Sequence, residues 1–188
     1  MYVAIEGIDT AGKSTQISLL QKAFPQAFFT LEPGGSELGK RLREILLESE
    51  MHLSDRAEFL LFLSDRAEHT HKVLLPHSNE FIISDRSLIS GIAYAQTLSF
   101  EQSIALNLFA TQNIKPDLVI LLELQKEELS KRLQAKKQDN IELRGLEYLL
   151  EIQNRMVLAA QKLGIRLERI DATLEIEEIH TRIKKALS

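Results

Sequence analysis

Apolar residues fall along this chain in two alternating rhythms. Short unbroken runs, "YVAIE" (2–6), "AFFTL" (27–31), "FIIS" (81–84), "LVILLE" (118–123) and "RLERI" (166–170), have the length and the branched or aromatic content of buried strands. Between them apolar positions return every three to four residues over 13–24, 37–48, 55–76, 88–97, 101–113, 126–134, 142–162 and 175–187, the spacing of amphipathic helices. The last is the plainest, with Leu174, Ile176, Ile179, Ile183 and Leu187 in one stripe. Strands and helices that alternate this way predict an α/β fold: a parallel sheet, helices on both faces, right-handed crossovers. The pattern does not contain the strand order. The most polar stretch, "QAKKQDNIELRG" (134–145), reads as a loop between two helices, so the expectation is one domain over 1–188 with a short lid at 134–145.

Composition narrows the partners. A chain of 188 residues at 44% hydrophobic content supports one sizeable core and little more. A formal charge of -4 gives no electrostatic footprint for nucleic acid, so an anionic ligand needs a local basic cluster. The absence of cysteine excludes disulfides and thiolate metal sites and suits a reducing compartment. "MYVAIEGIDT" has no basic stretch of the secretory kind, and no apolar run approaches the roughly 20 residues that span a bilayer. The expected location is the cytoplasm, with no membrane partner.

"GIDTAGKS", Gly7 to Ser14, fits G-x-x-x-x-G-K-[ST] directly after an expected strand and directly before an expected helix, the context that gives the motif meaning. Gly7 and Gly12 let the backbone turn tightly and approach phosphate oxygens. Successive N–H groups from Asp9, Thr10, Ala11 and Gly12 onward to Thr15 then converge on an anion, helped by the helix dipole. Lys13 can reach the β- and γ-phosphates, and the Ser14 hydroxyl can ligate Mg²⁺. The reading is a cradle for ATP with magnesium. Asp9 sits inside the cradle, where a carboxylate is costly beside phosphate; it is either a solvated loop residue or an acceptor for a hydroxyl of a second substrate.

The tripeptide Ser-Asp-Arg occurs three times, at 54–56, 64–66 and 84–86. No flanking similarity extends it to a repeat. The first copy opens a helix, with Asp55 and Glu58 at capping-box offset, which leaves Arg56 solvated. The second lies mid-helix, where Arg66 shares a face with Phe62. That pair is either a core aromatic with an arginine snorkelling past or a clamp for a planar ligand. The third follows "FIIS", at the carboxyl end of a strand, where open α/β sheets bind ligands. Asp85 there can hold magnesium or its water, and Arg86 can clamp phosphate bidentately; an ion pair finishing the strand is the alternative.

With these residues placed, the chain resembles the bacterial type of thymidylate kinase over nearly its whole length. "AIEGIDTAGKSTQ", "LEPGGSELGKRLRE" (31–44), "LFLSDRAEH" (61–69), "ISDRSLISGIAY" (83–94) and "KPDLVILLEL" (115–124) are similar to five motifs of that family, in order. The resemblance implies a three-layer, adenylate-kinase-like P-loop NTPase with a central five-stranded parallel sheet, a homodimer, and the reaction of Mg-ATP with dTMP to give ADP and dTDP. It implies that Asp9 contacts the sugar 3′-hydroxyl, Phe62 stacks on thymine, and Arg66 hydrogen-bonds the base. Arg86 would bind the monophosphate, and Tyr94 would crowd the ribose 2′ position. Glu32-Pro33-Gly34 would form a bend beside the nucleotide, with the bond before Pro33 a candidate for cis. Gly91 stands where some relatives carry a polar side chain aimed at the base, a contact Ser90 could share. Thr10 stands where some carry an arginine, so the cation over the phosphates would come from the lid. Arg132 ranks first, then Lys136 or Lys137, against the alternative of a solvated basic run. Glu142 is a candidate at the metal, and Asp171 and Ala172 would meet adenine through backbone. Rival readings are a kinase for another nucleoside monophosphate or deoxynucleoside, and a P-loop switch protein.

Overall fold

The five apolar runs form the strands of a single parallel sheet, β1 (Tyr2–Glu6), β2 (Phe28–Leu31), β3 (Ile82–Asp85), β4 (Leu118–Glu123) and β5 (Arg166–Asp171). Each begins and ends within one residue of the limits its hydrophobicity predicts. The structure is a computed structural model and describes residues 1–49, 51–134 and 145–187. Strand order is β2-β3-β1-β4-β5. β1 therefore lies at the centre, and all five of its residues are buried, as expected of a strand covered on both faces. The helices are α1 (Lys13–Ala23), α2 (Glu37–Arg43), α3 (Asp55–His69), α4 (Leu88–Tyr94), α5 (Phe100–Ala110), α6 (Lys126–Gln134), α7 (Leu146–Lys162) and α8 (Ile176–Leu187). One core joins β1, β3 and β4 to α4, α7 and α8 through Ile5, Ile83, Ile120, Ile89, Met156 and Ile183.

Two expected helices are each an α-helix ending in a π-helical turn. Glu44–Glu48 follows α2 and Thr70–Leu74 follows α3. The i→i+5 bonds Ser49 N–H to Glu44 C=O and Leu75 N–H to Thr70 C=O, both 2.9 Å, close them. A single five-residue turn barely disturbs an apolar stripe, so periodicity cannot announce it. The segment expected to run to 113 stops at Ala110, because Gln112 and Asn113 take positive φ. The capping box between Asp55 and Glu58 is not what starts α3. Ser54 is the N-cap, accepting from the Ala57 N–H at 3.4 Å, because the residue before the acidic pair already has the extended backbone a cap requires. Arg56 is exposed, as expected. No helix among the described residues is long and apolar enough to cross a membrane.

Candidate active site

The central strand delivers the glycine loop to the sheet's carboxyl edge. Gly7 has φ 150°, and a Cβ there would lie 2.8 Å from the Leu122 carbonyl oxygen, so no side chain fits. Gly12, with φ 91°, is the left-handed N-cap of α1, and Thr10 between them also has positive φ. Ala11 is buried, whereas Ser14 and Thr15 are exposed in the first turn of α1. Lys13 lies along the loop, donating to the carbonyls of Gly7 (3.0 Å) and Ile8 (3.2 Å). Burial, reinforced by the neighbouring Arg86, brings its ammonium down to about 8.

Strand pairing sets the second cation beside this loop. β3 runs next to β1 with Ile5 opposite Asp85, so Arg86 emerges level with the loop's first residues. Arg86 has φ 70°. Its guanidinium donates to Gly7 C=O (3.2 Å), Ser90 Oγ (3.0 Å) and Asp9 Oδ1 (2.6 Å), and lies 5.7 Å from the centroid of the Tyr94 ring. Burial opposes its charge, but Asp9, with Tyr94, Glu6 and Asp85 behind it, holds the guanidinium more firmly protonated than usual. Asp9 is thus neither simply solvated nor turned away: it faces both cations, with Lys13 Nζ 3.8 Å from the same oxygen. Beneath them lies Glu6, fully buried, accepting from Ser87 Oγ (2.7 Å) and Ser90 Oγ (2.6 Å). Burial raises the Glu6 carboxyl despite the opposing pull of Arg86. Ser90 therefore gives its one proton to Glu6, not to a base. Sequence reasoning passed over Glu6; its signal is a carboxylate ending an otherwise apolar central strand.

The second SDR copy belongs to a buried network, which excludes the snorkelling arginine. Arg66 does not snorkel: it is 3% exposed and donates from Nε to Glu32 Oε2 at 2.8 Å. Glu32 also meets His69 Nδ1 at 2.8 Å, and the other His69 nitrogen lies 2.6 Å from Thr30 Oγ1. Burial alone would raise the Glu32 carboxyl, but Arg66 and His69 together hold it below its ordinary value. The Glu32–Pro33 bond is cis. Arg43 donates to the Pro33 carbonyl at 2.9 Å; it was not singled out in the sequence, although it lies in the motif "GKRLRE".

These parts open onto one cleft of about 500 Å³ that runs from Lys13 and Ser14 past Asp85 and Arg86 to Phe62 and Arg66. Asp9, Glu32, Pro33, Ser90, Gly91 and Tyr94 also line it. Asp85 Oδ1 is buried without a hydrogen-bond partner among the described residues. Ser14 lines the same cleft, and the hydroxyl and carboxylate oxygens of the two residues are of the hard type that Mg²⁺ prefers.

Arg132 lies at the opposite side of the glycine loop. It donates to the carbonyls of Thr10 (3.0 Å) and Ala172 (2.8 Å), and Glu128 accepts from its Nε at 2.7 Å. The guanidinium thereby joins the loop to the turn after β5, where Ala172 N–H bonds Glu123 C=O at 2.8 Å and Asp171 accepts from Thr173. Lys136, Lys137, Asn140, Glu142 and Arg144, and with them the body of the expected lid, lie outside the described residues.

Comparison with known proteins agrees with this geometry. The thymidylate kinase family profile matches residues 5–183. The chain is 54% identical over 188 residues to a thymidylate kinase of Aliarcobacter butzleri, covering 100% of this chain and 99% of that one. It is 55% identical over 183 residues to one of Wolinella succinogenes, covering 97% and 96%. In three dimensions it superposes on the crystal structure of a thymidylate kinase from Ehrlichia chaffeensis with TM-score 0.78 at 24% identity, covering 100% and 97%. That likeness is one of fold.

Proposed function

This chain belongs to the thymidylate kinase family and transfers a phosphoryl group from ATP to dTMP, giving ADP and dTDP; from that premise we propose how its residues divide the work. The observation that carries the assignment is the single cleft joining Lys13 to the Phe62–Arg66 pair, with Arg86 between them. ATP takes the glycine-loop end, its phosphates on the N–H groups of residues 9–15 and its adenine beside Asp171 and Ala172. The monophosphate of dTMP meets Arg86, its 3′-hydroxyl meets Asp9, and its base lies between Phe62 and the donors of Arg66. Tyr94 closes the space a ribose 2′-hydroxyl would need.

The attacking oxygen of dTMP is a phosphate oxygen, already anionic at neutral pH, so no general base is required. The protein's task is alignment and neutralisation of the charge that spreads over the moving phosphoryl group. Lys13, at the start of α1, and Arg86, just past the end of β3, supply fixed positive charge. Asp9 holds the pair in register until phosphate displaces it. Mg²⁺, which Ser14 and Asp85 would hold, adds charge neutralisation on the donor phosphates. Glu142 as a further ligand, and Arg132, then Lys136 or Lys137, as the cation above the phosphates, rest on the sequence, as does closure by 134–145 to exclude water. We read the protein as cytoplasmic, a compartment that supplies ATP.

We also read the protein as a homodimer. Leu60 of α3 and Leu106 and Phe109 of α5 are exposed on two helices that pack together, an apolar surface suited to self-association. One assay tests the function: ADP release with Mg-ATP and, in turn, dTMP, dUMP, AMP, CMP and UMP. dTMP is expected well ahead of the others, and equal rates with AMP, CMP or UMP would remove the assignment.

A further inference from the structure

Three segments converge on Arg66: the bend at Glu32, the N-terminal half of α4 at Ser87 and Gly91, and α5 at Asn107. Asn107, on α5, is fully buried and reaches Arg66 past Gly91 of α4. Its Oδ1 accepts from Arg66 Nη1 at 2.8 Å, and its Nδ2 donates to the Ser103 carbonyl at 2.8 Å. Both ends of the amide are thereby fixed: turned over, it would set an NH₂ against a guanidinium and an oxygen against a carbonyl. The passage exists because residue 91 has no side chain. A Cβ on Gly91 would stand 2.2 Å from Arg66 Nη1 and 2.3 Å from Asn107 Oδ1, inside the hydrogen bond itself. Glycine in the interior of a helix costs stability, and here the space it leaves is filled by a polar contact between two other helices.

We propose that Asn107 is a positioning residue for acceptor-base recognition, and that Gly91 is present because Asn107 must pass it to reach Arg66. The inference rests on the reading of Arg66 as the residue that meets the base. A guanidinium has five N–H donors in a rigid plane. Glu32 takes Nε, Asn107 takes one on Nη1, and the Ser87 carbonyl lies 3.4 Å from Nη2. Glu32 fixes one edge of the plane, and the Ser87 contact is long enough to leave it room to rock about that edge. Asn107 is the second close contact, the one that fixes its tilt and so aims the remaining N–H groups. Those donors suit the 4-carbonyl of thymine and oppose the 4-amino group of cytosine. Loosening the plane lowers both affinity for the right base and rejection of the wrong one.

The test is steady-state kinetics on wild type, Asn107→Ala, Gly91→Ser and the double variant, with ATP, dTMP and dCMP each varied and thermal melts alongside. Asn107→Ala is expected to raise KM for dTMP on the order of tenfold, as for one buried charge-assisted hydrogen bond. The factor should exceed any fall in kcat, leave KM for ATP within about twofold, and accompany a smaller preference for dTMP over dCMP. Gly91→Ser, which wedges between the same partners, should give the same signature, and it carries the test if Asn107→Ala does not fold. In the double variant the Cβ at residue 91 still stands against Arg66 Nη1, so KM for dTMP should stay at least as high as in Gly91→Ser alone. A KM for dTMP within about twofold of wild type in both single variants, or KM for ATP rising in step with it, would mark Asn107 as ordinary core packing and overturn the proposal. Wild type that fails to prefer dTMP would instead overturn the reading of the site beneath it.

Discussion

Arg86 touches both halves of the site at once, through the Gly7 carbonyl and Asp9 on one side and Ser90 on the other. Arg86→Ala removes the fixed charge from the path of transfer and should lower kcat on the order of a hundredfold or more. ATP binding, measured by calorimetry, should change far less, since the loop's backbone remains; comparable losses in both would place Arg86 in the donor site instead. Lys13 gives a second prediction. Its buried ammonium sits near 8, and only the charged form attracts phosphate. kcat/KM for ATP should therefore be at its plateau near neutrality and fall as pH rises through 8, because deprotonation removes the cation. A flat profile to pH 9 would contradict it. Which of these residues sequence could supply depended on whether chemistry or packing had placed them. Lys13, Ser14 and Arg86 stand in motifs whose residue types are dictated by phosphate. Glu6, His69 and Asn107 matter only through what the fold packs against them, and of the three only Glu6 carries a local mark, a carboxylate at the end of an apolar strand.

At the level of elements, strands were easier to read than helix ends. A buried parallel strand must be apolar on both faces, so its limits are where the apolar run stops, and β1 and β4 match to the residue. Helix ends depend on single backbone choices, such as the left-handed Gln112 and Asn113 or the two π-helical turns. Where a cap is built from side chains its effect can be measured. Ser99 and Gln102 form a reciprocal capping box on α5, with bonds of 3.2 and 3.1 Å. Ser99→Ala should cost about 1 kcal/mol, a fall of roughly 2–4 °C in melting temperature. Because α5 carries Asn107, the same change tests whether fraying about two turns away loosens the Arg66 contact, read as KM for dTMP.

On the scale of the whole molecule, the strand order β2-β3-β1-β4-β5 was beyond the sequence, since every parallel arrangement of five apolar runs satisfies the same hydrophobic pattern. Self-association belongs to this scale too. Phe109 is 83% exposed, next to Leu106 on the same face of α5. Phe109→Glu should shift the protein from dimer to monomer in light scattering behind size exclusion at micromolar concentration, with the melting profile still cooperative. A wild type that is monomeric at those concentrations would remove the dimer. The pairing of Ile5 with Asp85 has a larger meaning for the reaction. One rung of a parallel ladder is about 3.3 Å, roughly the gap across which a phosphoryl group must pass. The backbone ladder between the first and third strands thus acts as the gauge for that journey, and slipping it by a single notch would leave every side chain present and the two nucleotides out of reach of each other.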